Sequence, residues 1–60
     1  MNQEEHKAVA YFISEIEMNM SEDDFQRDFF ESLSDQFTKR NSLSPKQIES
    51  LKKMYERVTR

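Results

Sequence analysis

Apolar residues recur along this chain at helical intervals. Val9, Phe12, Ile13 and Ile16 fall at i, i+3, i+4 and i+7, and at about 100° per residue they share one face. Met20 extends that face, whereas Tyr11 and Met18 point away from it. The spacing predicts a first helix over about 3–18. Phe25, Phe29, Leu33 and Phe37 then recur every four residues, so the apolar stripe drifts by roughly 40° per step. Phe30 lies at the far edge of the resulting arc of about 140°. That arc is wide enough to meet two neighbours, and it predicts a second helix over about 22–40. Ile48, Leu51, Tyr55 and Val58 form a third stripe with Met54 beside it, predicting a helix over about 45–59.

The ends of these segments carry their own signals. Ser21 is a good N-cap, with Glu22, Asp23 and Asp24 in the first turn, where carboxylates complement the positive helix end. Ser-x-x-Asp approximates a capping box. Lys39, Arg40 and Asn41 suit a helix C-terminus, the cations facing the negative end and Asn serving as a left-handed cap. The third start is sharper still. Ser44 is the N-cap, and Pro45 occupies N1, where its missing N–H costs nothing. Gln47 closes a capping box, and Leu43 is placed to staple onto Ile48.

With no segment alternating at period two for long, the fold class predicted is all-α: a small three-helix bundle occupying 1–60 as one helical domain. Only a few residues connect the second and third helices, so these should form a C-terminal antiparallel helical hairpin.

Composition makes the core thin. Leu, Ile, Val and Phe together supply thirteen of 60 residues, near the level at which disorder begins. A domain of this size buries only about 60% of its unfolded surface. Cys, Gly and Trp are absent, which excludes a disulfide scaffold, a thiol nucleophile and a glycine-rich phosphate loop. Either the phenylalanines carry the core or a partner completes it, and a homodimer is one way to do so. No apolar run approaches the roughly 20 residues needed to cross a bilayer. Met1 is followed by Glu4-Glu5-His6-Lys7 rather than by a signal-peptide apolar block. A cytoplasmic protein with no membrane partner is expected.

Charge is divided along the chain. Residues 1–36 hold ten acids and two bases, net −8, whereas residues 37–60 hold two acids and seven bases, net +5. On the predicted second helix Asp24, Asp28, Glu31 and Asp35 follow i, i+4, i+7 and i+11, a carboxylate stripe over about 16 Å. It is a candidate for docking on a basic partner, including imitation of DNA phosphates, against the simpler reading of a solvated face. Lys46, Lys53, Arg57 and Arg60 form a candidate basic patch on the third helix, partly neutralised by Glu49–Lys53 and Glu56–Arg60 pairs. A chain of net −3 is a poor autonomous DNA binder, because non-specific binding comes mainly from phosphate neutralisation. Tyr11 and Met18, apolar but off the main stripe, are candidates for a protein contact patch, while Phe30 is expected to complete the core.

Nothing points to catalysis, and no cofactor or metal is called for. His6 is the only imidazole and is expected to be incidental in a frayed terminus. Adjacent Asp23 and Asp24 would point about 100° apart on a helix and lack a third ligand. A nucleophile, a base and an enclosing pocket are not assembled.

The pattern Phe30-x-x-Leu33-x-x-Gln36, followed by Leu43-Ser44-Pro45-Lys46-Gln47-x-x-x-Leu51, resembles a helical hairpin common in small phage-encoded proteins of DNA metabolism. It is similar in particular to that encoded beside the UvsW helicase in T4-like phages. The likeness covers about half the chain. Where such hairpins usually have Gly in the turn, this one has Thr38-Lys39-Arg40-Asn41-Ser42. The resemblance implies a phage setting, and so the host-cell cytoplasm, with a role beside DNA-processing enzymes and no catalytic residues to transfer. The function expected is therefore a non-enzymatic, protein-binding accessory factor of phage DNA replication or recombination. The alternative is an acidic, DNA-mimic-like phage inhibitor of a host nucleic-acid-binding defence enzyme such as a CRISPR nuclease. A self-assembling structural module is a third reading.

Overall fold

The computed structural model describes residues 2–60. It contains three helices, α1 (Gln3–Asn19), α2 (Arg27–Arg40) and α3 (Pro45–Val58), and no strand among the described residues. The all-α class expected from the apolar spacing is what the chain adopts.

α1 begins with a full capping box. The Asn2 side chain accepts the Glu5 N–H at 2.8 Å, and the Glu5 carboxylate accepts the Asn2 N–H at 3.5 Å, satisfying two otherwise orphaned donors. The helix start is thus held rather than frayed. His6 is correspondingly half-buried, its ring 4.7 Å from that of Phe37. The imidazole is a packing group, not the incidental surface residue expected.

α3 starts as its sequence dictates. Ser44 Oγ accepts the Gln47 N–H at 3.2 Å, and Gln47 Oε1 accepts the Ser44 N–H at 2.9 Å. Pro45 takes the first helical position, and Leu43 and Ile48 both join the core. α2 ends as expected too: Asn41 lies at φ 56°, ψ 23°, and its N–H reaches the Phe37 carbonyl. Asn tolerates this left-handed region better than most residues with a Cβ, which is why the turn closes without glycine.

The start of α2 departs from expectation. Ser21 caps nothing; its hydroxyl donates to Asp23 Oδ1 at 2.7 Å. Two successive turns replace the first helical turns, with Asp24 N–H on the Ser21 carbonyl at 3.2 Å and Arg27 N–H on the Asp24 carbonyl at 2.9 Å. Asp24 Oδ1 also accepts the Gln26 N–H at 2.8 Å. A short polar side chain bonding its own backbone two residues on competes directly with the helix. The helix therefore begins at Arg27, five residues later than the capping signals suggested.

The phenylalanines that α2 buries also differ from expectation. Phe30 is only 1% exposed and packs with Leu33 and Phe37, residues that lie within about 60° of one another around α2. Phe29 is 46% exposed and Phe25 83%. Of the expected four-residue stripe only Leu33 and Phe37 lie on the core face, and the residue at its far edge, Phe30, is the central one. The remaining core comes from Val9, Ile16 and Met20 on and just after α1, Leu43 before α3, and Leu51 and Met54 within it. α1 and α3 share the larger packing surface, and α2 meets α3 over a smaller one.

Candidate functional site

The structure splits the expected carboxylate stripe. Asp24 lies in the turn before α2, with its side chain only 13% exposed and ion-paired to Arg57 Nη2 at 2.8 Å. The Arg57 guanidinium, helped by the Gln26 N–H, holds the Asp24 carboxyl below its ordinary range. Asp24 is therefore a structural tie, not one of a row of exposed anions. Asp28, Glu31 and Asp35 do remain exposed on α2. Glu31 accepts Arg27 Nε at 2.9 Å and Asp35 pairs with Lys39 at 3.0 Å, whereas Asp28 has no ion pair among the described residues.

Arg27 organises the α1–α2 junction. Its Nη2 donates to both carboxylate oxygens of Glu17, at 2.9 and 3.0 Å, and Nη1 donates to the Met20 carbonyl at 3.4 Å. That carbonyl lies just past α1, where the last acceptors of a helix lack internal partners. The guanidinium also sits 5.5 Å from the centroid of the Phe30 ring. Glu31, then Glu17, raise its already high pKa further, so it is a permanent cation. As one of only two bases among the first 36 residues, Arg27 was the available signal for such a bridge. Beside it an open groove of about 450 Å³ runs between α1 and α2, lined by Glu17, Glu31 and Asp35 with Phe30 at its base.

The basic patch is divided as well. Arg57 turns toward the segment before α2, donating Nε to Gln26 Oε1 at 3.0 Å while its guanidinium lies 4.9 Å from the Phe25 ring centroid. Lys53 pairs with Glu49 at 3.6 Å. The expected Glu56–Arg60 pair is not formed among the described residues, because Arg60 lies beyond the last turn of α3. Lys46 is exposed at the start of α3.

Tyr11 and Met18 are exposed, at 53% and 77%. Tyr11 is nonetheless held: its ring centroid lies 6.1 Å from Phe12 and 5.8 Å from Tyr55, and the two tyrosine hydroxyls are 3.4 Å apart. Contact with the Tyr55 hydroxyl, more than the nearby Glu15 carboxylate, raises the Tyr11 phenol above its ordinary pKa. Phe12 packs on Tyr55 in turn, with centroids 4.9 Å apart. The result is a fixed aromatic ledge across α1 and α3.

Among the described residues no group of three or more His, Asp or Glu side chains could hold a metal ion. No helix among them is long and apolar enough to cross a membrane. No protein-family model, curated protein or solved structure matches the chain.

Proposed function

We propose that this chain is a non-enzymatic accessory factor that acts by binding another protein, one belonging to DNA replication or recombination as the resemblance to small phage proteins implies. The observation that carries the reading is Tyr11, half-exposed yet fixed against Tyr55 and Phe12. A rigid surface aromatic loses little freedom on binding, and such residues dominate interface energetics. Met18 stands two turns further along the same side of α1 with Glu15 between them in sequence, making an apolar contact patch in acidic surroundings. A basic partner surface suits that patch, and proteins that handle nucleic acid present such surfaces. Affinity capture from phage-infected cells should recover a helicase or recombinase, and Tyr11→Ala with Met18→Ala should lose it. Recovery of no DNA-processing enzyme, or its retention by the double variant, overturns the reading.

The inhibitor reading draws on a different observation, the groove in which Glu17, Glu31 and Asp35 remain open to solvent. The exposed Asp35–Lys39 ion pair is weak, so a partner's cations can displace it. Asp28→Lys with Glu31→Lys should then abolish binding to a basic nuclease groove, and added salt should weaken it. Binding indifferent to both changes removes this alternative.

We also infer that α2 and α3 run as an antiparallel hairpin. Gln36 and Gln47 exchange amide hydrogen bonds at 3.0 and 3.2 Å near one end, and Arg57 reaches Gln26 and Asp24 at the other. Cysteines in place of Gln36 and Gln47 should be joined within one chain by a short bis-maleimide, which spans the reach of two glutamine side chains; failure to cross-link counts against the arrangement.

A further inference from the structure

Tyr11 and Tyr55 are the chain's two tyrosines, forty-four residues apart. The fold brings their ring centroids to 5.8 Å, with the planes tilted by 58°, and their hydroxyls to 3.4 Å. Rings meeting end to end through their hydroxyls would hold their centroids much farther apart than 5.8 Å. The two rings therefore lie side by side, with the Cε carbons that flank the hydroxyls facing across the contact. Phe12 packs on both rings, at 6.1 and 4.9 Å between centroids, and restricts their swing. Tyr11 is 53% exposed and open to a small reagent, while Tyr55 is half-buried.

Composition directs oxidation to this pair. Loss of one electron falls most readily on Cys, Trp and Tyr side chains, and the chain has neither Cys nor Trp. The surrounding phenylalanines resist it. Met18, 77% exposed, takes up an oxygen atom to become a sulfoxide rather than coupling to a ring. A tyrosine phenoxyl radical carries its unpaired electron partly on the Cε carbons, the atoms that face each other here.

We propose that Tyr11 and Tyr55 form an oxidative modification site, at which a one-electron oxidant of the peroxidase class joins the two rings into a biaryl that ties α1 to α3. Each phenol gives up one electron and its hydroxyl proton, and the two radicals pair into one Cε–Cε bond. The hydrogen on each bonded carbon then leaves as a proton while a proton returns to each oxygen, restoring both aromatic rings. The chain loses two electrons and two protons in all, and one hydrogen peroxide takes them up as two waters. Both hydroxyls of the product sit beside the new bond and next to each other, as they already do before oxidation. Holding the rings together favours coupling within one chain over coupling between chains. In a chain without cysteine the bond does the work of a disulfide, closing a long loop and restricting the unfolded state. The site does not depend on the Tyr11 ledge binding a partner.

The test oxidises the full chain at low micromolar concentration with photoexcited tris(bipyridyl)ruthenium and persulfate, a small one-electron oxidant system in which persulfate accepts the two electrons and leaves as two sulfates. The product should be a monomer lacking two hydrogen atoms, with the blue fluorescence of a bis-phenol. Trypsin should release a fragment in which residues 8–27 are joined to residues 54–57, the peptides that hold Tyr11 and Tyr55. Tyr11→Phe and Tyr55→Phe, each keeping its ring and its helical circular dichroism, should lower that monomer fluorescence at least about tenfold, as should unfolding in urea before oxidation, because neither leaves two phenols held together. The purified cross-linked chain should melt at least about 10 °C above the untreated one. Covalent dimers as the main product, equal coupling in urea, fluorescence that survives either substitution, or a melting midpoint that is unchanged or lower overturns the proposal.

Discussion

Replacing Phe30 and Phe29 separately by Ala asks which phenylalanine supports the core. Phe30 is 1% exposed, with Leu33 and Phe37 beside it, and truncating a buried Phe costs about 3–5 kcal/mol. At about 0.05–0.15 kcal/mol per residue, a chain of 60 residues has only about 3–9 kcal/mol of stability. With an unfolding entropy of about 2.1 cal/mol/K per residue, each kcal/mol shifts the melting midpoint by about 8 °C. Phe30→Ala should therefore lower the midpoint by more than about 20 °C or abolish the transition. Phe29 is 46% exposed, so its ring contributes roughly half of the 1.5–3 kcal/mol that full burial supplies. The better helix propensity of Ala offsets part of that loss. The net cost is about 1 kcal/mol or less, a shift within about 8 °C. Thermal and urea unfolding by far-ultraviolet circular dichroism measures both. A Phe29→Ala variant as unstable as Phe30→Ala would refute the packing and favour the stripe read from four-residue spacing.

Three further outcomes are expected. Ser44→Ala should cost about 1 kcal/mol in urea unfolding through loss of the N-cap, and no change would mean that α3 starts elsewhere. Asn41→Gly should leave stability equal or slightly higher, whereas Asn41→Val should lower it by about 1–3 kcal/mol, because a β-branched side chain is strained at positive φ; equal melting of the two variants contradicts the left-handed cap. The Asp24 carboxyl is held below its ordinary value by Arg57 and the Gln26 N–H. Its contribution to stability is therefore complete above the unfolded pKa of about 3.9 and is lost as pH falls through the lower folded value. Asp24→Asn should flatten that acid limb of the stability–pH curve, and an unaltered limb disproves the tie.

Legibility in the sequence followed the range of the interaction. The Ser44-Pro45-Lys46-Gln47 start of α3 was readable because its hydrogen bonds close within three residues. The left-handed cap at Asn41 and the stripe through Val9 and Ile16 were readable for the same local reasons. Ser21-Glu22-Asp23-Asp24 also reads as a helix start, yet its side chains bond within the turn and to Arg57, thirty-three residues from Asp24. The apolar candidates divide likewise. Exposure of Tyr11 and Met18 followed from their position off the α1 stripe, but the Tyr11–Tyr55 contact required α1 to meet α3. The α2 carboxylates were identifiable one by one, while their partners depended on where Arg27 and Arg57 came to rest.

The sequence by itself determined that the chain is helical, where α3 begins, how α2 ends and which face of α1 is apolar, since each depends on neighbours within one or two turns. Tertiary structure decided that α2 begins at Arg27, that Phe30 rather than Phe29 is central, and that Asp24 is withdrawn from the acidic surface. The physical reason is competition. Ser21 and Asp24 can serve either a helix start or a turn at comparable local cost, and the Arg27 and Arg57 contacts across the fold select the turn.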